Sequence, residues 1–227
     1  MVGTDGKSDM PQFGYWTNRW KNGDTSWQLD GVYPLLERSQ DIILAGKQDA
    51  RVFLPMCGKA NELEWFYGKG HRVVGVEFIE TVARSYFIDN CLPLDEAECP
   101  ILKCKIFQTP DKRLRIFVCN VFDFNKSCAG AMDIVWDRGA LSSIDVELRD
   151  RYVTLMMSLL SPKFSYALWT IVYENSYNGF PTSMPEAVLR ELFGAIFLPL
   201  TALVEQGSQR PTEGKECMLE AEHPVHC

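Results

Sequence analysis

A chain of 227 residues that is 46% hydrophobic can bury a full core and is expected to form one main domain. Its 23 basic and 30 acidic residues give a formal charge of −7 and a pI near 5.1, which argues against a nucleic-acid or anionic-membrane partner. No apolar run is long enough to span a membrane and the start lacks the apolar core of a secretory signal, so a cytoplasmic monomer is expected.

Residues 1–13 are polar and glycine-rich and read as a mobile N-terminal segment; the main domain is expected over 14–205. Trp16, Trp20 and Trp27 then follow in close succession, with Trp16 and Trp20 at helical i,i+4 spacing. Two readings stay open for them: an aromatic clasp that packs the N-terminus onto a sheet, or a lid over a planar or cationic ligand. Val32 to Leu44 carries a helix-like apolar pattern that Pro34 enters near the first turn.

Arg51 to Glu77 reads as strand, loop, helix and strand. Arg51 to Leu54 is an apolar run stopped by Pro55, and Gly58 lets the following loop bend close to a ligand. Asn61 is a candidate cap for a helix over Leu63, Trp65 and Phe66, which Gly68-Lys69-Gly70 ends. Val73 to Val76 is the second strand, and Glu77 falls about 20 residues past the first, where a doubly wound fold places a ribose-binding acid. The competing reading is an ordinary βαβ unit with a chance acid.

Ile79 to Asn90 is expected to be a helix and residues 91–102 a surface loop. Lys103 to Phe107 and Leu114 to Val118 are strand-like runs around a turn at Thr109 to Lys112. The second run ends at Cys119-Asn120-Val121, which places Asn120 and Val121 at a strand's carboxyl end, either lining a ligand or simply capping a turn. Met132 to Trp136 is the next strand, with Arg138 in the loop at its end, either paired with an acid or set beside a carboxylate or thiolate ligand. A helix capped by Asp145 runs to Leu160, and Phe164 to Tyr173 is a long strand. A loop over 174–185, well placed to cover a pocket, and a short helix from Pro185 follow.

Ile196 to Val204 can form one more strand, but residues 206–227 are polar and proline-broken and read as a divergent, disordered tail. Cys217, His223, His226 and Cys227 fit no standard zinc spacing, so no metal is expected. The remaining cysteines, Cys57, Cys91, Cys99, Cys104, Cys119 and Cys128, form no C-x-x-C pair and read as reduced thiols.

The run Leu54-Pro55-Met56-Cys57-Gly58-Lys59, followed by Gly70-His71 and Val73-Val74-Gly75-Val76-Glu77, resembles the thiopurine S-methyltransferase family. Val135-Trp136-Asp137-Arg138-Gly139-Ala140-Leu141 is a second match in register, and the similarity covers about Trp16 to Gly194. The resemblance implies a Rossmann-like class I methyltransferase fold: a mostly parallel, seven-stranded α/β sheet, here with its carboxyl-terminal strands doubtful or missing. It implies S-adenosyl-L-methionine as cofactor and a small-molecule thiol, such as a thiopurine, as acceptor. By the same resemblance Glu77 meets the ribose, Met56 and Gly58 the methionine part, and Asn120 and Val121 the adenine. Trp16 and Trp20 form the lid, while Trp27, where better-known relatives carry Phe, and Arg138 lie toward the acceptor or the cofactor carboxylate. The family's further arginine near the acceptor has Arg210 as a weak match. A nicotinamide-dependent dehydrogenase is the enzyme rival, but the first loop has no G-x-G-x-x-G. A poorly folded or inactive relative that only binds, and a methyltransferase for a selenol or small thiol, also stay open.

Overall fold

The apolar runs become strands of one sheet: β1 (Arg51–Leu54), β2 (Arg72–Glu77), β3 (Asp95–Glu98), β4 (Lys105–Gln108), β5 (Leu114–Val118), β6 (Met132–Arg138), β7 (Leu160–Val172), β8 (Leu203–Gln206) and β9 (Lys215–Glu222). The computed structural model describes residues 12–173, 180–194, 203–206 and 215–222. Residues 1–11 of the expected mobile segment, 174–179 of the expected loop, 195–202 of the expected strand, Arg210, His223, His226 and Cys227 lie outside them. Strand order is β3-β4-β5-β2-β1-β6-β7-β9-β8. The centre, β5-β2-β1-β6-β7, is parallel throughout. The chain first builds outward from β1 through β2 to β5 and then returns to the other side of β1 with β6. That reversal makes a topological switch point at the carboxyl ends of β1 and β6, the place where open α/β sheets bind ligands.

Successive side chains of each central strand serve opposite faces. Phe53, Val74, Phe117 and Val135 join Phe124, Tyr152, Met156 and Tyr166 on one side. Val52, Leu54, Val73, Ile116, Ile134 and Trp136 join Leu36, Ile43, Leu63, Phe66 and Phe87 on the other. Helices supply both layers: α1 (Phe13–Asn22), α2 (Pro34–Arg38), α3 (Gln40–Leu44), α4 (Glu62–Gly68), α5 (Glu80–Asp89), α6 (Lys126–Ala129), α7 (Arg149–Leu159) and α8 (Glu186–Phe193). Among the described residues no helix is long and apolar enough to cross a membrane.

Several expectations change in the structure. The helix over Val32 to Leu44 is two short ones, broken at Ser39. Asn61 makes no cap bond; its Nδ2 donates instead to Leu29 O and Gly31 O, at 2.8 and 3.0 Å, tying the Trp-rich segment's exit to α4. Asp145 likewise leaves its helix uncapped, and a short 3₁₀ turn precedes α7. The loop expected over 91–102 contains β3, whose acidic residues pair antiparallel with β4 from Asp95↔Gln108 to Glu98↔Lys105. A sheet edge accepts such charged side chains because they point to water while only the backbone pairs.

The carboxyl end is the larger correction. The sheet does not stop after the expected final strand: β9 pairs antiparallel with β7 from Ser165↔Glu222 to Val172↔Lys215, and β8 pairs with β9. With β3 and β9 added, the expected seven strands become nine among the described residues. Residues 215–222 are therefore strand rather than disordered tail. The open edge of β7 presents a row of backbone N–H and C=O groups, and satisfying that row does not require a run of strong β-formers.

Candidate active site

The site begins with the loop after β1. Met56 and Gly58 both take left-handed backbone, φ 47° and 51°. That conformation is costly for a residue with a side chain such as Met56, and outliers of this kind cluster where a backbone is shaped for a ligand. At Gly58 a Cβ would lie 3.0 Å from Trp20 Cζ2, so a side chain there would both strain the turn and press the indole away. The loop is fastened to β2 by Cys57 N–H donating to Val76 O at 2.9 Å. Gly75 in β2 makes that approach possible, since a Cβ there would meet Cys57 Sγ at 2.7 Å.

Glu77 ends β2 and braces the same loop. Gly58 N–H donates to its Oε2 at 3.1 Å and Ile79 N–H to its Oε1 at 2.7 Å. Burial pushes the carboxyl up to about 7, while these backbone donors pull the other way by favouring the ionised form.

The three tryptophans form one edge-to-face cluster over this loop. Trp16 and Trp20 each contact Trp27, with ring centroids 5.3 and 5.6 Å apart. Trp16 Nε1–H donates to Gln12 Oε1 at 3.2 Å, and the buried ring packs with Ile79 and Val82, the residues that follow Glu77. The cluster is thus a clasp that holds α1 to the sheet, with Trp20 packed over Gly58.

Arg138, at the end of β6, faces Glu62 in the first turn of α4, Nε to Oε1 3.4 Å. Its Nη1 donates to Trp27 O at 3.3 Å, so a single guanidinium links β6, α4 and the aromatic segment. Glu62 Oε1 also accepts Tyr33 N–H at 3.1 Å, whereas Arg138 Nε and Glu62 Oε2 take no hydrogen bond among the described residues. The acid partner expected as one of two readings for Arg138 is therefore realised, and Glu62 is a site residue that sequence reasoning missed. Its sole signal is an acid placed one residue past the candidate cap.

Asn120 lies two residues beyond Val118, the register partner of Glu77. Its Oδ1 accepts Phe122 N–H at 3.0 Å, which caps the turn, and Val121 is buried in the core. Both residues stand at the carboxyl edge as expected, with the capping role visible. Asp137 is the second missed residue. Its Oδ2 accepts both the Tyr152 and Tyr166 hydroxyls at 2.8 Å, and its Oδ1 accepts Leu141 N–H at 3.2 Å. This buried network fixes the loop that follows Arg138. His71 lies away from these groups, its Nδ1 accepting Ala50 N–H at 3.2 Å, and burial lowers its pKa.

A parallel α/β centre with an acid at the end of β2, a shaped loop after β1 and an aromatic cover defines a methyltransferase-type fold. The thiopurine S-methyltransferase family model matches residues 12–221, and the chain belongs to that family. The match reaches into β9, past the Gly194 limit expected from motifs. Thiopurine S-methyltransferase of Bos taurus is 35% identical over 185 residues, covering 80% of this chain and 75% of that protein. A probable thiopurine S-methyltransferase of Danio rerio is 35% identical over 181 residues, 79% of this chain and 78% of that one. Among solved structures, Burkholderia thailandensis 1,6-didemethyltoxoflavin-N1-methyltransferase with bound S-adenosylhomocysteine superposes with a TM-score of 0.60 at 17% identity, over 92% of this chain and 85% of that one. TehB of Haemophilus influenzae gives 0.60 at 10% identity, over 92% and 66%. These two likenesses carry the fold. The chain is an enzyme of the methyltransferase class.

Proposed function

We propose that this enzyme methylates the sulfur of an aromatic or heterocyclic thiol of the thiopurine type, with S-adenosyl-L-methionine as methyl donor. When bound, that cofactor supplies a methyl group already activated on a sulfonium, so the protein's tasks are binding, alignment and exclusion of water. The observation that carries the reading is the packing of Trp20 on Gly58, in the loop that Glu77 braces.

The residues present fit the cofactor. Each Glu77 oxygen accepts one backbone N–H and keeps a lone pair for a ribose hydroxyl. The left-handed loop at Met56 and Gly58 takes the methionine part, and the turn at Asn120 and Val121 borders the adenine. Trp16 and Trp20 cover the ligand, and an aromatic face beside a sulfonium is favourable. Trp27 and Arg138 lie toward the acceptor or the cofactor carboxylate, with the Arg138 charge directed by its pairing to Glu62.

An acidic aromatic thiol ionises near neutral pH and needs no dedicated base, which agrees with the placement of His71 away from the site. A selenol or a small thiol is the second acceptor class that suits this chemistry. The test is a calorimetric titration with S-adenosyl-L-methionine and its demethylated product, followed by methyl transfer to an aromatic thiol. Saturable binding without transfer to any thiol or selenol would assign the chain a binding role only.

A further inference from the structure

Cys99, Cys104 and Cys119 lie just past the ends of β3, β4 and β5, where continuing the strand registers brings them into line. Continuing the β3–β4 register, in which Glu98 faces Lys105, sets Cys99 opposite Cys104. Continuing the β4–β5 register, in which Ile106 faces Phe117, sets Cys104 opposite Cys119. Residues directly opposite across a ladder point to the same face.

The backbone says which kind of pair each one is. Cys99 N–H donates to Cys104 O at 2.8 Å, so the Cys104 backbone oxygen faces β3 and not β5. At the other end of the β4–β5 hairpin, Thr109 N–H donates to Leu114 O at 3.0 Å, and strict alternation from that rung leads to the same result. By that extended register Cys104 and Cys119 take the place of a non-hydrogen-bonded pair, in which Cα atoms stand about 4.5 Å apart and side chains are closest. That separation lies within the range a disulfide needs. All of these cysteines are free thiols, and the Cys104 thiol lies close enough to Cys119 and Cys99 for each to influence its ionisation. Cys99 is fully buried, whereas Cys104 and Cys119 are half-buried and reachable.

We propose that Cys104 and Cys119 form a reversible thiol–disulfide site that closes by exchange with a low-molecular-weight disulfide. Cys104 is the attacking thiol. The neighbouring Cys119 thiol favours the Cys104 thiolate, while the same proximity and burial hold the Cys119 proton on. The Cys104 thiolate attacks one sulfur of the small disulfide, which forms a mixed disulfide and expels one thiolate. Cys119 then releases its proton to solvent and attacks Cys104 Sγ, which expels the second. The protein loses two hydrogens as the small disulfide is reduced to two thiols. The described residues contain no His, Cys, Asp and Glu cluster arranged to hold a metal ion, so exchange rather than metal binding suits this rung. The bridge would anchor β5 at the residue before Asn120, where the strand enters the candidate cofactor site.

The test is to incubate the full chain with glutathione disulfide over graded glutathione ratios, quench with N-ethylmaleimide and map unreduced peptides by mass spectrometry. The expected result is a peptide pair joining Cys104 to Cys119, reversed by glutathione, lost in both Cys104→Ser and Cys119→Ser and kept in Cys91→Ser. Circular dichroism of the variants separates loss of the bridge from loss of the fold. Glutathione adducts alone in the folded wild-type chain, or a Cys99–Cys104 bridge in place of this one, would overturn the proposal.

Discussion

Arg138 and Glu62 form an ion pair withdrawn from solvent, the guanidinium side chain 13% exposed and the carboxylate 1%. Removing one member of such a pair leaves the other charge buried and unmatched, at a cost of about 3–5 kcal/mol. Glu62→Gln is therefore expected to lower unfolding free energy by an amount approaching that range, measured by urea denaturation. Arg138→Lys keeps the charge but loses the planar fork that reaches both Glu62 and Trp27 O. It should fold, and its kcat/KM for an aromatic thiol should fall on the order of tenfold or more, equivalent to about 1.4 kcal/mol. Wild-type kinetics in that variant would return Arg138 to a purely structural role.

Glu77 predicts a pH dependence of opposite sign for stability and for binding. Its folded pKa, about 7, is raised above the ordinary glutamate value. Its contribution to stability is thus fully present in acid and is lost as pH rises through about 7. Ligand-free wild type should lose melting temperature relative to Glu77→Gln between pH 5 and pH 8. Ribose hydroxyls need the ionised carboxylate, so S-adenosyl-L-methionine should bind more tightly over the same rise, with a flatter profile in Glu77→Gln. Parallel profiles for the two proteins would remove Glu77 from the cofactor site.

The network on Asp137 gives a prediction about stability alone. Tyr152→Phe and Tyr166→Phe each delete one hydroxyl donor to the same buried oxygen. Each should cost about 1–3 kcal/mol, as for a hydrogen bond to a buried charged group. The double variant should depart from the sum, because both hydroxyls serve one acceptor. Thermal melts of the three variants measure this, and strict additivity would show that the hydroxyls act independently.

The carboxyl end predicts an effect of truncation. A chain ending before Lys215 loses β9 and uncovers the β7 edge from Ser165 to Val172. Unpaired edges template association. The truncated protein should melt lower and scatter more light on warming than the full chain. Equal melting and equal scatter would mean that β9 adds nothing to closure.

What could be read from residues alone follows their range of action. The β1–loop–α4–β2 unit was legible because Pro55, Gly58 and the alternation of Val73 to Val76 act locally. Glu77, Met56, Gly58 and the tryptophans were legible as site candidates for the same reason, since each belongs to that unit or to a dense local motif. The acidic β3 and the polar β9 were not, because a strand at a sheet edge takes its structure from its neighbour's backbone more than from its own side chains. Glu62 and Asp137 were missed because their partners come from distant elements that only the finished fold brings together. The split of Val32 to Leu44 into α2 and α3 has no single-residue signal: Ser39 simply leaves the helical register.

One measurement tests the central proposal most directly: transfer of a labelled methyl group from S-adenosyl-L-methionine to an aromatic thiol, run with wild type and Glu77→Ala. The predicted result is transfer by wild type to the thiol sulfur, and cofactor binding weakened in Glu77→Ala by about 1–3 kcal/mol. Absence of transfer from a folded wild-type chain that binds the cofactor, or unchanged affinity in Glu77→Ala, would contradict it.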